Sequence, residues 1–143
     1  MNYTEFALRL VIALGAGFLI GFERSWHHKS AGLRTITLVT IGSALYVMLS
    51  IYITQTEGDV TRIIAQVVSG IGFLGAGIIF KEGVNVHGLT TAATVWCSSA
   101  IGCLAGAGYH IEAIVSTVLV LAINSVMLIL DKHLASRGEG EKE

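Results

Sequence analysis

The residues in this chain that could do chemistry are few, and they gather in two short polar stretches. The first, FERSWHHKSAGLRT (22–35), brings Glu23, Arg24, His27, His28, Arg34 and Thr35; the second, KEGVNVHGLTT (81–91), brings Lys81, Glu82, His87, Thr90 and Thr91. Each sets a carboxylate beside a basic residue and closes on Gly-Leu-x-Thr at the start of an apolar run. If those runs are helices, their first turns point free N–H groups and a positive dipole end at one region. Arg24, Arg34 and Lys81 with those helix ends would favour an anion. Glu23 and Glu82 could instead hold a hydrated divalent cation, since Mg²⁺ keeps most of its waters and needs only one or two carboxylates. The plainer reading is that each carboxylate caps a helix and pins its loop.

The remaining chemically able residues read as structural. Arg9 lies about one turn inside the first apolar run, with Glu5 four residues before it as a partner. Arg9, Ala13, Gly17 and Gly21 recur at four-residue spacing, so the arginine should face other helices rather than lipid. His27 and His28 are adjacent and lack a spaced third ligand, a weak metal signal. Cys97 and Cys103 are six residues apart on one run, about 9 Å along a helix and too far to bridge. GIGFLG (70–75) satisfies G-x-G-x-x-G but sits inside an apolar run without the strand and distant acidic residue that dinucleotide binding requires. Ser98 and Ser99 have no aligned base, and no nucleophile–base pair of enzymatic type is present.

The elements that must position these residues are membrane spans. The chain has 143 residues, 53% hydrophobic and 13% charged, against about 25% charged in soluble domains. Runs long enough to cross a bilayer fall at about 6–22, 35–53, 63–80, 89–107 and 111–130. The first run follows MNYTE, which has no basic side chain, so it reads as a span and not a cleaved leader. The prediction is an all-α integral membrane bundle of five helices over residues 1–132, with a charged, disordered cytoplasmic tail over 133–143. Arg24, Lys29, Arg34, Lys81, Lys132, Arg137 and Lys142 fall on one side, and Arg9 and Arg62 on the other. That asymmetry predicts an outside amino terminus and a cytoplasmic carboxyl terminus.

Glycine is abundant within these spans, where it costs a helix about 1 kcal/mol each relative to alanine. Its use in a bilayer is to let helices touch backbone to backbone. Gly17, Gly21, Gly70, Gly72, Gly75, Gly77, Gly102 and Gly106 are therefore expected at helix contacts. Thr94, Ser98, Gly102 and Gly106 form a ridge at spacing four. Asp59 should cap the third helix, with Arg62 in its first turn, and Gln66 should bond across helices. The fifth helix, apolar nearly all round, should be the most lipid-facing. An internal repeat is also legible: GAG at 15 and 75, Glu23 and Glu82, and Gly-Leu-x-Thr at 32 and 88 lie 60, 59 and 56 residues apart. It would relate two halves by an axis along the membrane normal.

The blocks GFERSWHHKSAGLRT, VVSGIGFLGAGIIFKEG and GLTTAATVWCSSAIG resemble the signature blocks of the MgtC/SapB family of bacterial inner-membrane proteins, over about residues 5–130. The resemblance implies a multi-pass plasma-membrane protein linked to magnesium limitation and to virulence in pathogens. In some members it implies restraint of another membrane protein, the ATP synthase membrane sector. Longer members continue into a cytoplasmic ACT-like domain, so a chain ending at Glu143 corresponds to a short form. Position 90 is Thr where some members carry Asn. Two functions follow as expectations: a non-enzymatic, homo-oligomeric regulator acting through Glu23, Arg24, Arg34, Thr35, Lys81, Glu82, Thr90 and Thr91, or an oligomeric transporter or channel for Mg²⁺ or another ion. Transport calls for ionisable groups near the midplane, and the charges here lie near the ends of the spans.

Overall fold

A computed structural model describes the backbone of residues 2–54 and 59–139 and the side chains of residues 2–54 and 59–127. Five helices, α1 (Tyr3–Trp26), α2 (Leu33–Ile53), α3 (Val60–Ile78), α4 (Leu89–Ala107) and α5 (His110–Glu139), are joined by short connections, with a two-stranded hairpin between α3 and α4. All five are long and apolar enough to cross a membrane. The chain is an all-α membrane bundle.

Packing follows the small residues. α4 is the central helix, with 11 of its 19 residues buried. α2 lies between the small-residue faces of α1 and α4. A Cβ added at Gly17 would come within 2.9 Å of the Thr37 Cα, and one at Gly21 within 2.8 Å of the Leu33 Cα. On the other side, a Cβ at Gly102 would strike the Thr40 carbonyl, and one at Gly106 would come within 2.8 Å of the Ala44 Cα. Ser43 and Ser99 join α2 to α4 through a 2.8 Å hydroxyl pair. Around these contacts Ala13, Ile20, Ile36, Ala44, Val95, Ile101 and Ala105 are buried as the apolar core. Thr40 and Ser98 return their hydroxyls to the carbonyls of Ile36 and Thr94 in the preceding turn, which satisfies them inside an apolar helix.

α3 departs from the expectation of a tightly packed, glycine-dense helix. Ile71 is its one buried residue, and only Gly75 has a neighbour for an added Cβ, Ala92 at 3.8 Å. Gly70, Gly72 and Gly77 have nothing within 4 Å. Gln66 is exposed and has no hydrogen bond among the described residues, so it does not tie helices together within one chain. α3 is thus more exposed than α5, which buries Ala113 and Thr117 against the bundle. Asp59 caps α3 as expected, accepting from the Thr61 amide at 2.9 Å.

Two further elements differ from the sequence expectation. Residues 81–88 read as a polar break, yet Phe80–Glu82 pairs antiparallel with Asn85–His87. Gly83 takes φ 61° at the first of two turn positions, as a type II′ hairpin needs, and the Phe80 and His87 rings stack at 5.2 Å. At the carboxyl end, α5 runs on to Glu139 where a disordered tail from residue 133 was expected. DKHLASR holds no glycine or proline before Gly138, so nothing in it stops a helix already under way. Residues 140–143 lie outside the described residues.

Candidate functional site

The site is built on the last turns of α1, the first turns of α2 and α4, the hairpin, and α5 around Asn124. α1 stays helical through Trp26 and then ends in a Schellman motif. The Lys29 amide donates to the Arg24 carbonyl and the His28 amide to the Ser25 carbonyl, both at 3.0 Å, with His28 left-handed at φ 53°. This stop turns the chain back at once. The Ser25 hydroxyl then accepts from the Leu33 amide at 2.8 Å, capping α2. Glycine at position 32 leaves room for that bond, because a Cβ there would fall 2.5 Å from the Ser25 hydroxyl and displace it.

Keeping α1 helical this far directs Glu23 and Arg24 inward along different lines. Arg24 is 2% exposed, and its Nη2 donates to the Thr91 hydroxyl in the first turn of α4 at 2.8 Å. Its Nε–H is buried without a partner. Glu23 Oε2 accepts from Asn124 Nδ2 on α5 at 3.2 Å, while Oε1 lies 3.0 Å from His27 Nδ1. The Thr94 hydroxyl faces two acceptors, the Thr90 carbonyl at 2.9 Å and Asn124 Oδ1 at 3.4 Å, and donates its one proton to either. A continuous polar chain therefore joins α1, α5 and α4 at one end of the bundle. Nothing in periodicity or spacing signalled Asn124 as a member of it; a lone amide in an otherwise apolar helix was the only available sign.

The side chains of the other residues expected at this site lie outside that chain. Arg34 and Thr35 are exposed on the first turn of α2, and Thr90 is exposed at the start of α4. Lys81 and Glu82 stand on the hairpin, where the Glu82 side chain is 82% exposed and 3.9 Å from His87 Nε2. The repeat breaks here, since α1 carries Glu23 on a helix whereas α3 has ended before Glu82. Gly32 and Gly88 still serve as the equivalent N-caps of α2 and α4. Glu23 and Glu82 thus have separate partners, Asn124 and His27 for the first and His87 for the second. Among the described residues no group of three or more His, Cys, Asp or Glu side chains is placed to hold a metal.

At the opposite end, Arg9 has an equally local duty. Its side chain is buried, Nη1 donates to the Gly106 carbonyl at 2.7 Å, and Nη2 pairs with Glu5. The guanidinium satisfies the last turn of α4 and lies over Gly108, which takes φ 92°. The cysteines, Cys97 and Cys103, are both free.

Comparison with known proteins places this arrangement. No solved structure matches the chain. Protein MgtC of Brucella abortus is 57% identical over 111 residues, 78% of this chain and 46% of that protein. Protein MgtC of Salmonella typhimurium is 46% identical over 149 aligned positions, 99% of this chain and 62% of that protein. An uncharacterised protein of Synechocystis is 51% identical over 124 residues, 87% of this chain and 53% of its own length. The chain thus spans roughly half to three fifths of these relatives. The family model for MgtC matches residues 10–133, and the chain belongs to the MgtC family.

Proposed function

We propose that this protein serves adaptation to low magnesium as a non-enzymatic regulator of another membrane protein, with its charge-rich end as the acting surface. The observation that carries the reading is how the buried charges are used. Arg9, Glu23 and Arg24 all bond to other helices at the two ends of the bundle, and between those ends the hydrogen bonds of the described side chains are made by uncharged hydroxyls, back to their own helices at Thr40, Ser98 and Thr117 and to each other at Ser43 and Ser99. A carrier would need ionisable groups along its path. A regulator needs a stiff scaffold and an exposed face, and Arg34, Thr35, Lys81, Glu82 and Thr90 supply one.

This reading places that face in the cytoplasm of a bacterial cell, with the membrane sector of the ATP synthase as the partner class suggested by resemblance. The deciding experiment pairs two measurements. Proteoliposomes holding only this chain should show no Mg²⁺ flux above empty vesicles. In cells, Glu82→Gln with Lys81→Gln should accumulate normally yet lose growth at low Mg²⁺. Flux from the purified chain would overturn the regulatory reading in favour of an oligomeric transporter. Full growth of the double variant would move the acting surface away from the hairpin.

A further inference from the structure

α3 carries a face that the rest of the described chain leaves uncovered. A groove of about 570 Å³ runs between α2 and α3, with Gly42, Tyr46, Gln66, Gly70 and Leu74 along it. A Cβ at Gly42 or at Gly70 would meet nothing within 4 Å, so the two glycines leave the walls bare to the backbone. Gln66 is six residues into α3, about 9 Å along the helix axis and inside the apolar layer. Its amide is exposed there without a hydrogen bond among the described residues. An unbonded amide in hydrocarbon costs several kcal/mol. Lipid offers it no partner, and glycine facing lipid gives up helix stability for nothing.

We propose that a second copy of this chain docks in this groove, the two α3 helices pairing about a twofold axis along the membrane normal. Copies inserted with the same orientation hold identical residues at identical depth, so across such an axis the two Gln66 side chains meet. An amide both donates and accepts and is its own complement. No charged residue lines the groove, so nothing in it demands an unlike partner, and isologous pairs are the commonest assembly of identical chains. Gly70 lies one turn further along the same face and admits the neighbouring backbone. The proposal gives a surface to the expected homo-oligomer, but it stands or falls without any growth phenotype.

The test uses the full chain, fluorescently labelled, in phosphatidylethanolamine and phosphatidylglycerol vesicles, with self-association read by energy transfer across a dilution series. The parent should self-associate as a dimer. Gln66→Leu should weaken association about 3- to 20-fold, the range of single interhelical hydrogen bonds in membranes. Gly70→Leu should weaken it at least as much without lowering the thermal midpoint of the monomer, because a Cβ there meets nothing within 4 Å in one chain. Under mild oxidation Gln66→Cys should cross-link, whereas Leu119→Cys on exposed α5, and the parent with Cys97 and Cys103, should not. A parent that stays monomeric overturns the proposal. So does a dimer indifferent to both substitutions, or one that cross-links at position 119 and not at 66. Association with a different membrane protein that depends on Gly70, without self-association, would equally overturn it.

Discussion

Glycine has two meanings in this chain, and adding one methyl group separates them. Gly102→Ala drives a Cβ into the Thr40 carbonyl, and overpacking of this kind costs about 1–3 kcal/mol. Gly72→Ala meets open space and should raise stability by up to about 1 kcal/mol through helix propensity alone. Thermal unfolding in one detergent should move the two variants in opposite directions from the parent. The Arg24 contact can be read in the same way. Thr91→Val keeps shape but removes the acceptor of a guanidinium that already has one unpartnered N–H, so about 1–3 kcal/mol should be lost. Thr91→Ser, which restores a hydroxyl, should recover most of that loss. If Thr91→Val unfolds at the parental temperature, Arg24 has found another acceptor and the α1–α4 link is not the one described.

Two helix ends carry predictions of their own. His28 holds a left-handed conformation at the end of α1, which costs a residue with a Cβ about 1–2 kcal/mol. His28→Gly should therefore raise the unfolding free energy by roughly 1 kcal/mol, and a lowered midpoint would show that the imidazole makes a compensating contact. At the start of α3, the Thr61 hydroxyl and then its amide hold the Asp59 carboxyl below its ordinary pKa. A depressed folded pKa means the cap stabilises above the unfolded value, near about 4, and is lost as pH falls through the lower folded value. The protection of the Thr61 amide, taken against its intrinsic exchange rate at each pH, should fall over that range, and Asp59→Ala should remove the dependence. Sequence periodicity was enough for five helices, because apolar runs of spanning length have few other readings, and the Asp59 cap was legible from its position ahead of such a run. The hairpin was not legible, since Lys81 to Gly88 is too short for a strand alternation to show. The Glu23–Asn124 bond was hidden for a different reason: 101 residues separate the two and no motif joins them.

For the molecule as a whole, the lysine and arginine asymmetry predicts which end faces the cytoplasm. Membrane-impermeant thiol labelling of intact cells should reach Tyr109→Cys, exposed between α4 and α5, and should spare Lys29→Cys until the membrane is opened. Labelling of Lys29→Cys from outside would invert the bundle and move the proposed acting face with it. The order in which the spans leave the ribosome raises one more matter. α4 is both the least apolar of the five spans and the most enclosed, its Thr91 and Ser99 hydroxyls bonded to neighbouring helices, those of Thr94 and Ser98 to its own carbonyls, and its Gly102 and Gly106 covered by α2. Taken singly it is a poor client for the insertion machinery. α1 and α2 are made before it and already present the surfaces it will cover, so α4 can leave the translocation channel by docking onto helices waiting in the bilayer. A truncated chain lacking α1 and α2 should then deliver α4 into the membrane inefficiently, although every residue of that helix is intact.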